Sequence, residues 1–266
     1  MSVFADVFEK KAVIGMIHLR PLPGSHRYEG SMNDCLDWAM RDVKTLEDGG
    51  VDGIMIENFF DAPFYKSSVP PETVAGMTRI ITEIRKETTL PLGVNVLRND
   101  GLSALAIATA CSCQFIRVNI LSGAMVTDQG IIEGQSAELL RLRKNLQSSV
   151  MIWADCLVKH AVPFHDTPME QVAADTFERG GADALIISGV GTGKPTNPED
   201  VKLARKGAPH APILIGSGVT TETVTSLLEF SDGVIVGTST KVEGKVENVV
   251  DLDRVKALVA ASKAGQ

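Results

Sequence analysis

Three ionisable side chains lie close together in one short segment, DCLVKH, which spans residues 155–160. The segment follows the apolar run VMIWA, which is typical of a buried strand, so its polar residues begin where that strand should end. Histidine exchanges protons near neutral pH, and proton transfer by such side chains accelerates many reactions. We therefore predict that Asp155, Lys159 and His160 take part in proton transfer, with Lys159 and His160 on a mobile loop. Asp155 lies below them at the floor of the site, where balancing the charge of its neighbours is an equally supported role.

The lysine of this segment has a second chemical use. A lysine amine whose pKa is lowered by burial can attack a carbonyl group and form a Schiff base. Lys159 lies four residues beyond the aspartate, however, and this spacing predicts a loop position that is more exposed to solvent. Proton transfer is therefore favoured over covalent catalysis, and both stay open.

Polar residues also interrupt several other strand-like runs. Side chains alternate along a strand, so Arg117, Asn119 and Leu121 share one face of the run FIRVNIL. The other face consists of Ile116, Val118 and Ile120. The apolar face should pack against helices, which turns Arg117 and Asn119 inward, and the same parity turns Asn95 and Glu57 inward. A buried charge without a partner is costly, so Arg117 is expected to meet Glu57, Asp155 or both.

These inward-facing polar residues have two interpretations. For Arg117, a structural ion pair that fills the interior is as well supported as a role in binding. For the whole set a functional site is the better explanation, because buried polar groups that converge in a pocket are typical of active sites. The set comprises His18, Glu57, Asn95, Asn119 and Asp155. We predict catalytic roles for His18 and Glu57, and substrate contacts for Asn95, Arg117 and Asn119.

Two short turns that contain glycine indicate an anion-binding site. They are Gly216-Ser217-Gly218 and Gly237-Thr238-Ser239, and each directly follows an apolar run. Glycine lets the main chain approach a ligand closely, and exposed N–H groups with a helix N-terminus favour an anion. The alternative is that these glycines only pack strand against helix. We favour a phosphate site and assign all six residues to it.

A third glycine-rich segment, residues 188–196 (SGVGTGKPT), resembles a nucleotide-binding P-loop but lacks its pattern. Ser188 stands where the first required glycine should be, and Pro195 replaces the Ser or Thr that holds magnesium. We interpret the segment as a flexible loop that closes over a ligand, with Thr192 as a substrate contact.

Eight apolar, β-branched runs must position these residues, and amphipathic stretches alternate with them. The runs are residues 12–19, 51–58, 91–97, 115–121, 150–156, 182–188, 212–218 and 232–238. Helices are predicted between them, for example over residues 34–50 and 168–181, with further helix starts at 197–199 and 221–223.

Strict alternation of strand and helix indicates parallel strands with right-handed crossovers. Eight such units predict a single (β/α)8 TIM barrel domain over residues 1–266. A doubly wound open sheet would need an early glycine-rich dinucleotide fingerprint, which neither of the first two runs carries. In a TIM barrel, function gathers on the loops after the strands, and strands 7 and 8 form the usual phosphate corner, where both glycine turns fall.

Composition bounds the class of protein. The chain has 266 residues, of which 44% are hydrophobic and 22% are charged, and its formal net charge is −7. Its basic residues are scattered, so a nucleic-acid partner has little support.

No apolar run approaches the roughly 18–20 residues that span a bilayer, and no export signal is recognisable. Four cysteines in such a chain make no disulfide framework, so we expect a reduced, cytoplasmic protein, for which a homo-oligomer is compatible with the fold.

Several long motifs resemble the BtpA/SgcQ family. They include IHLRPLPGS (17–25), GVDGIMIENFFDAPF (50–64), LGVNVLRNDG (92–101), FIRVNILSGAMVTDQGIIEG (115–134), DCLVKHA (155–161) and ILIGSGVT (213–220). The resemblance implies a TIM barrel but no settled reaction. One branch takes its name from photosystem I biogenesis, another belongs to a sugar-metabolism gene cluster, and members are often described as nucleoside triphosphatases. Among the positions that resemble the family, Asp128 and Gln129 are predicted to contact substrate.

Three functions fit these observations. We favour an enzyme with lyase, isomerase or epimerase chemistry on a small phosphorylated metabolite such as a sugar phosphate. The second is a nucleotide-binding protein or nucleoside triphosphatase, in which Glu57 and Asp155 hold a divalent metal such as Mg²⁺. The absent P-loop and the lack of an obvious base-stacking aromatic residue disfavour it. The third is a non-catalytic assembly factor that keeps the barrel as a scaffold, which the polar interior disfavours.

Overall fold

Eleven strands and nine α-helices form in the residues that the computed structural model describes, which are 3–8, 11–189 and 196–264. In chain order the strands are β1 (Ala12–His18), β2 (Gly53–Glu57), β3 (Leu92–Asn95), β4 (Phe115–Val118), β5 (Ala124–Thr127), β6 (Gly130–Glu133), β7 (Met151–Cys156), β8 (Ala161–Pro163), β9 (Ala184–Ile187), β10 (Ile213–Ile215) and β11 (Gly233–Val236). The helices are α1 (Val3–Val7), α2 (Met32–Gly49), α3 (Pro71–Glu87), α4 (Gly101–Ala110), α5 (Ser136–Asn145), α6 (Met169–Ala174), α7 (Pro198–Gly207), α8 (Val224–Leu228) and α9 (Leu252–Lys263).

Eight of these strands close into a barrel, which confirms the predicted (β/α)8 architecture. Strands β1–β4, β7 and β9–β11 run parallel, each paired with its neighbours in chain order, and β11 pairs with β1 to close the ring. Because all eight strands run the same way, their carboxyl ends meet at one mouth. The polar residues predicted at strand ends are therefore brought to one place.

Local sequence signals account for most helix boundaries. The side chain of Ser31 caps the first turn of α2, which ends at Gly50 in the left-handed region with φ at 83°. Helix α7 begins after Asn197, whose side chain caps it, as predicted. The helix predicted over 168–181 consists of α6 and a π-helical turn, Asp175–Arg179. Helix α8 begins directly after residues 221–223.

An apolar layer fills the lower half of the barrel. Phe115 and Trp153 stack with their ring centroids 3.8 Å apart, and Phe4 and Phe8 pack against these rings from the amino-terminal end. Only glycine fits at position 93, because a Cβ there would lie 1.9 Å from the Phe115 ring. Since this floor is apolar, the inward-facing polar residues are confined to the upper ends of the strands, next to the mouth.

A three-stranded antiparallel sheet, which the sequence did not predict, lies beside the mouth. Its strand order is β6-β5-β8. Strands β5 and β6 form a hairpin around the two-residue turn Asp128-Gln129, and Gly130 follows with φ at 95°. Both parts of the sheet are insertions, one after β4 and the other after β7. The loops that follow these two barrel strands therefore have regular structure of their own.

A buried ion pair fastens the segment after β11 to the helical layer. Lys241 Nζ lies 2.7 Å from Oδ2 of Asp42 on α2, and neither side chain is more than 1% exposed. The other carboxylate oxygen accepts a hydrogen bond from the Val250 N–H at 2.9 Å. Burial lowers the pKa of Lys241, and Asp42 opposes that shift by stabilising the charged amine. The segment that follows the glycine turn after β11 is thus attached to α2.

The four cysteines are buried free thiols. Burial raises the pKa of both Cys113 and Cys156 to about 12, so neither is a reactive thiolate at neutral pH. None of the helices in the described ranges has the length and apolar character needed to cross a membrane.

Removing one member of the Lys241–Asp42 pair should destabilise the fold. Asp42→Asn keeps an acceptor for the Val250 N–H but leaves the Lys241 amine without a counter-charge, so the free energy of unfolding should fall by about 3–5 kcal/mol. The double variant Asp42→Asn, Lys241→Met should recover part of that loss, because no charge then remains buried. Chemical denaturation measures this cycle. Lys44 on the same helix pairs with Asp48, which is exposed, so Lys44→Ala should lower the free energy of unfolding by less than about 1 kcal/mol. An equal decrease in Asp42→Asn and Lys44→Ala would contradict the account.

Candidate active site

Four polar side chains form one layer across neighbouring strands at the mouth. The strand register places His18 beside Glu57, Glu57 beside Asn95, and Asn95 beside Arg117. None of the four is more than 6% exposed. The side-chain amide of Asn95 donates a hydrogen bond to the Glu57 carboxylate. The inward orientation predicted from strand parity is therefore what the structure shows, and the layer lies directly above the apolar floor.

A buried ion pair between Arg117 and Asp155 forms the centre of this layer. Arg117 Nε donates to Asp155 Oδ2 at 2.8 Å and Nη2 donates to Oδ1 at 2.7 Å. Asn119 Nδ2 donates to Asp155 Oδ2 at 2.9 Å. Burial lowers the pKa of Arg117, but the carboxylates of Asp155 and Glu57 outweigh it, and the net shift is upward. Arg117 thus carries a permanent charge below the mouth.

The same geometry changes the role of Asp155. Both of its oxygens accept hydrogen bonds from Arg117 or Asn119, and its side chain is fully buried. A carboxylate held in this way is poorly placed to take a proton from a ligand. The prediction that Asp155 transfers protons therefore gains no support from the geometry; Asp155 positions Arg117.

Lys159 lies closer to the interior than its loop position predicts. It is half-buried, it lines both cavities at the mouth, and its amine has no hydrogen-bond or ion-pair partner among the described residues. Burial lowers its pKa and Arg117 adds to the shift, while Glu57 and Asp155 oppose it. The expectation of an exposed lysine is wrong because the turn after β7 folds back over the mouth, where Arg98 Nη2 donates to the Lys159 carbonyl at 2.6 Å.

His160 lies at the rim of the mouth. Its side chain is exposed and lines the wider cavity, and its backbone adopts a left-handed conformation with φ at 57°. Partial burial lowers its pKa, Lys159 and Arg98 add to the shift, and Asp128 opposes it. His160 is therefore mostly neutral at pH 7 and can reach only the outer part of a ligand.

His18 lies at the opposite, enclosed side of the mouth. Its ring packs against Phe59 at a centroid distance of 4.8 Å, and its buried Nδ1 has no hydrogen-bond partner in the described part of the chain. Burial lowers its pKa well below the usual value, and the charges of Lys241 and Lys159 add to this. His18 is therefore a neutral imidazole that can exchange a hydrogen bond with a ligand. It also lies against Gly237, where a Cβ would approach its Cε1 to 2.8 Å.

The two predicted glycine turns line one cavity of about 330 Å³. Gly218 has φ at 68°, a conformation that favours glycine. The main-chain N–H groups of Gly218, Thr238 and Ser239 donate to no described residue and remain available to an anion. Arg117 reaches this cavity from below, since a Cβ at Gly216 would lie 3.5 Å from its Nη2. The two turns therefore enclose one space at the mouth, which we call the cradle; anion binding there stays a prediction.

Arg254 supplies a cation to this cradle that the sequence reasoning missed. It lies in the first turn of α9, its side chain lines the same cavity, and its Nη1 donates to the Ser239 carbonyl at 3.3 Å. The one sequence signal that could have indicated Arg254 is its position after the eighth barrel strand. Thr192 lies outside the described residues, whereas the neighbouring Thr196 is buried and donates to the Ser217 carbonyl at 3.2 Å.

A second, wider cavity of about 680 Å³ opens beside the first. The two share the side chains of Glu57, Phe59, Arg117 and Lys159, so they form one continuous space across the mouth. The wider part is lined by predicted substrate contacts, namely Asn95, Asn119, Asp128 and Gln129. Its wall also includes Phe59, Phe60 and Phe64, which the sequence did not mark as obvious base-stacking residues.

The predicted metal ligands do not form a metal site. Arg117 and Asn119 occupy both oxygens of Asp155, and Asn95 binds one oxygen of Glu57. No group of three or more His, Cys, Asp or Glu side chains with metal-binding geometry occurs in residues 3–8, 11–189 and 196–264. The donor set therefore does not fit Mg²⁺, and the chemistry below is assigned to the side chains alone.

Buried side chains fix the loops that carry the site. Asn99 exchanges two hydrogen bonds with the main chain of Ile120, at 2.8 and 2.9 Å. Asn58 accepts a hydrogen bond from the Leu97 N–H at 2.8 Å. Asp100 accepts one from the Val69 N–H at 2.9 Å while its other oxygen caps α4. Successive loops are thus joined to one another around the mouth.

Comparison with known sequences gives a match over almost the whole chain. Residues 9–264 match the model of the BtpA family. The photosystem I biogenesis protein BtpA of Synechocystis is 45% identical over 265 residues, which cover 100% of this chain and 92% of that protein. The sgc region protein SgcQ of Escherichia coli is 34% identical over 249 residues, covering 92% of each. The family resemblance seen in the motifs is confirmed.

Solved structures show the same fold at low sequence identity. N-(5'-phosphoribosyl)anthranilate isomerase from Pyrococcus furiosus superposes with a TM-score of 0.57 and 13% identity over 96% of this chain and 99% of that chain. Thiamine phosphate pyrophosphorylase from Pyrococcus furiosus gives 0.58 and 13% over 96% of both chains. At these identities the likeness shows the TIM barrel alone.

The lowered pKa of Lys159 is directly measurable. After reductive ¹³C-methylation, the Lys159 dimethylamine should titrate at lower pH than the exposed lysines, because burial and Arg117 destabilise its charged form. Below that pKa the amine is protonated; above it the amine is neutral while other lysines stay charged. NMR detects the difference, and Lys159→Arg assigns the signal by removing it. Dimethyl-lysine in a short unstructured peptide is the reference, and a Lys159 signal that titrates together with it would contradict the account.

Proposed function

The chain belongs to the BtpA family, and from this membership and the geometry of its mouth we propose that it is an enzyme acting on a small phosphorylated metabolite. One observation carries the proposal. The anion cradle of the glycine turns and the half-buried, unpartnered amine of Lys159 open into the same continuous cavity. A ligand held by its phosphate at one side therefore presents its carbon chain to Lys159 and Glu57.

Phosphate binding uses main-chain and side-chain donors together. Gly218, Thr238 and Ser239 line the cradle and have N–H groups that donate to no described residue, and Arg254 lines the same cavity. Arg117 lies beneath it and keeps the local potential positive. The neutral His18 beside Gly237 offers a further hydrogen bond. Enzymes named for phosphorylated compounds share this barrel fold, which supports the proposal by analogy.

The reacting end of the ligand meets a base and an acid on opposite sides. Glu57 has one carboxylate oxygen fixed by Asn95, and its other oxygen accepts from no described residue, so it can take a proton from carbon next to a carbonyl group. Lys159 then stabilises the negative charge that develops on the carbonyl oxygen and returns a proton. Its lowered pKa suits that role, because a proton is donated more readily from such an amine. This chemistry serves a lyase, an isomerase or an epimerase.

A Schiff base is the alternative use of Lys159. The neutral amine would add to the ligand's carbonyl carbon and expel the oxygen as water, leaving an imine that withdraws electrons from the neighbouring carbon. The same cavity and the same pKa shift support it. Covalent trapping of a ligand on Lys159 by borohydride distinguishes the imine from proton transfer, since only an imine is reduced to a stable amine.

Nucleotide binding is the second candidate, and the phenylalanines of the wider cavity favour it. The rings of Phe59 and Phe60 are perpendicular, with centroids 5.3 Å apart, so one of them could stack on a base while the cradle holds a phosphate. The third candidate, a non-catalytic assembly role, is supported by the name of the Synechocystis relative. The cradle is needed by the first two functions and not by the third.

Ligand binding separates the three functions. Thermal shift and calorimetry with inorganic phosphate, sugar phosphates and nucleotides, each with and without Mg²⁺, should show the strongest stabilisation with sugar phosphates. Arg254→Glu should weaken their binding by roughly tenfold or more, because one charge-assisted hydrogen bond is lost and a repulsive charge is introduced. Lys256→Glu makes the same charge change on the exposed side of α9 and should bind as the wild type does. Stabilisation by nucleoside triphosphates alone would favour the second function, and no response to any phosphate compound would favour the third.

A further inference from the structure

A second buried cation lies in the wider cavity without a counter-ion. Arg98 follows β3 and is only 5% exposed, yet it forms no ion pair with any described carboxylate. Its Nη1 donates to Asn119 Oδ1 at 3.1 Å and its Nη2 donates to the Lys159 carbonyl at 2.6 Å. Both acceptors are neutral. A guanidinium has five N–H donors, so three are left without an acceptor among the described residues.

Such an arrangement is costly in the free protein. Burial lowers the pKa of Arg98 and Arg117 adds to this shift, while the charges of Asp155, Asp128 and Glu57 compensate for it only in part. If Arg98 served only to hold the Lys159 turn, an adjacent carboxylate would reduce the free-energy cost of burying its charge. A guanidinium that faces a cavity with unused donors is instead prepared for an anion from outside.

The position of Arg98 relative to the phosphate cradle determines where on a bound ligand the group that contacts Arg98 must lie. Strand β3 is separated from β10 by four steps in either direction around the eight-stranded ring, so Arg98 and the cradle face each other across the mouth. A barrel of eight strands is roughly 15 Å across, and the side chains on both sides shorten that gap. The two cavities join between them through Arg117 and Lys159.

The hairpin turn supplies a further polar group on the Arg98 side of the mouth. Gln129 lines the wider cavity, and its buried Oε1 has no hydrogen-bond partner in the described ranges, while its amide donates to Asp128 at 2.6 Å. An acceptor of this kind fits a ligand hydroxyl group. The Arg98 side of the mouth therefore offers a planar cationic fork next to a hydroxyl acceptor.

We infer that Arg98 binds a carboxylate at the far end of the substrate, which makes the substrate a phosphorylated hydroxy or keto acid. This inference rests on the proposed phosphate site and extends it. A carboxylate suits the position because it matches the planar fork of one guanidinium, whereas the cradle opposite surrounds its anion with main-chain donors and a separate arginine. The nearby carboxylate of Asp128 also limits how much negative charge this side can accept.

Matched pairs of ligands test the inference on the wild-type protein. Each pair has the same phosphate and carbon chain and differs only in a carboxylate or a CH₂OH group at the other end: 3-phosphoglycerate with glycerol 3-phosphate, and 6-phosphogluconate with glucitol 6-phosphate. Calorimetry should show that the acid of at least one pair binds roughly tenfold to a hundredfold more tightly than its alcohol. Inorganic phosphate and fructose 1,6-bisphosphate complete the set.

Three variants assign the preference to Arg98. Arg98→Met should abolish it and Arg98→Lys should retain part of it, while inorganic phosphate binds all of them equally. Asp128→Asn, at an exposed position that the fold does not need, should increase the preference, because it removes a competing negative charge; a purely structural role for Arg98 predicts no such change. Arg79→Met on the outer face of α3 is the control and should leave the preference unaltered.

The outcomes separate this inference from the proposed function. If phosphate compounds bind but the acid and alcohol of both pairs bind equally, the carboxylate subsite is wrong and the phosphate site stands. A preference that depends on Arg98 for the bisphosphate, but not for the acids, overturns the carboxylate in favour of a second phosphate. If no phosphate compound binds the wild type, the proposed function fails and the inference fails with it.

Discussion

The buried pair of Arg117 and Asp155 is the interaction on which the rest of the site depends. It joins β4 to β7 in the middle of the barrel mouth, through two hydrogen bonds of 2.7 and 2.8 Å. Isolated, either charge would be costly at this depth, and removing one member of such a pair usually costs several kcal/mol. Held together, they give the mouth a fixed positive group that no pH change near neutrality removes.

That fixed charge explains the properties of the groups around it. Burial lowers the pKa of Lys159 and of Arg98, and Arg117 adds to both shifts. Arg117 also lies directly below the turn of residues 216–218. Glu57 offsets part of the charge and holds Asn95 in place. The protein can keep such polar groups inside a barrel because the stacked rings of Phe115 and Trp153 fill the space beneath them and leave only the mouth open to ligand.

Strand parity and turn composition were enough to predict the centre of the site. The alternation of FIRVNIL placed Arg117 inward, and the glycine turns at 216–218 and 237–239 indicated the cradle, because both features depend on local geometry that sequence encodes directly. The barrel followed from eight alternating units. The family match then agreed with motifs that were visible in the sequence alone.

The remaining features depend on contacts between distant segments, which no local pattern reports. For Asp155, the sequence supported proton transfer and charge balance equally, and only the hydrogen bonds from Arg117 and Asn119 to its two oxygens favour the second role. Lys159 was predicted to be exposed because its spacing places it on a loop. That loop is bound by Arg98, 61 residues away, which donates a hydrogen bond to the Lys159 carbonyl, and no local pattern reports such a contact. Arg254 lies on the last helix and reaches the cradle only through the closure of the barrel. The small sheet beside the mouth was missed because its strands are short and lie in two separate insertions.

A titration with inorganic phosphate followed by ¹H–¹⁵N NMR tests the central claim, that the glycine turns bind a phosphate inside the mouth. The account predicts saturable shifts of the amide signals of Gly218, Thr238 and Ser239, whose N–H groups donate to no described residue. The amides of Gly24 and Gly30, in the loop after β1, should not move. No saturable change at the two turns, or equal changes at both sets of glycines, would contradict it.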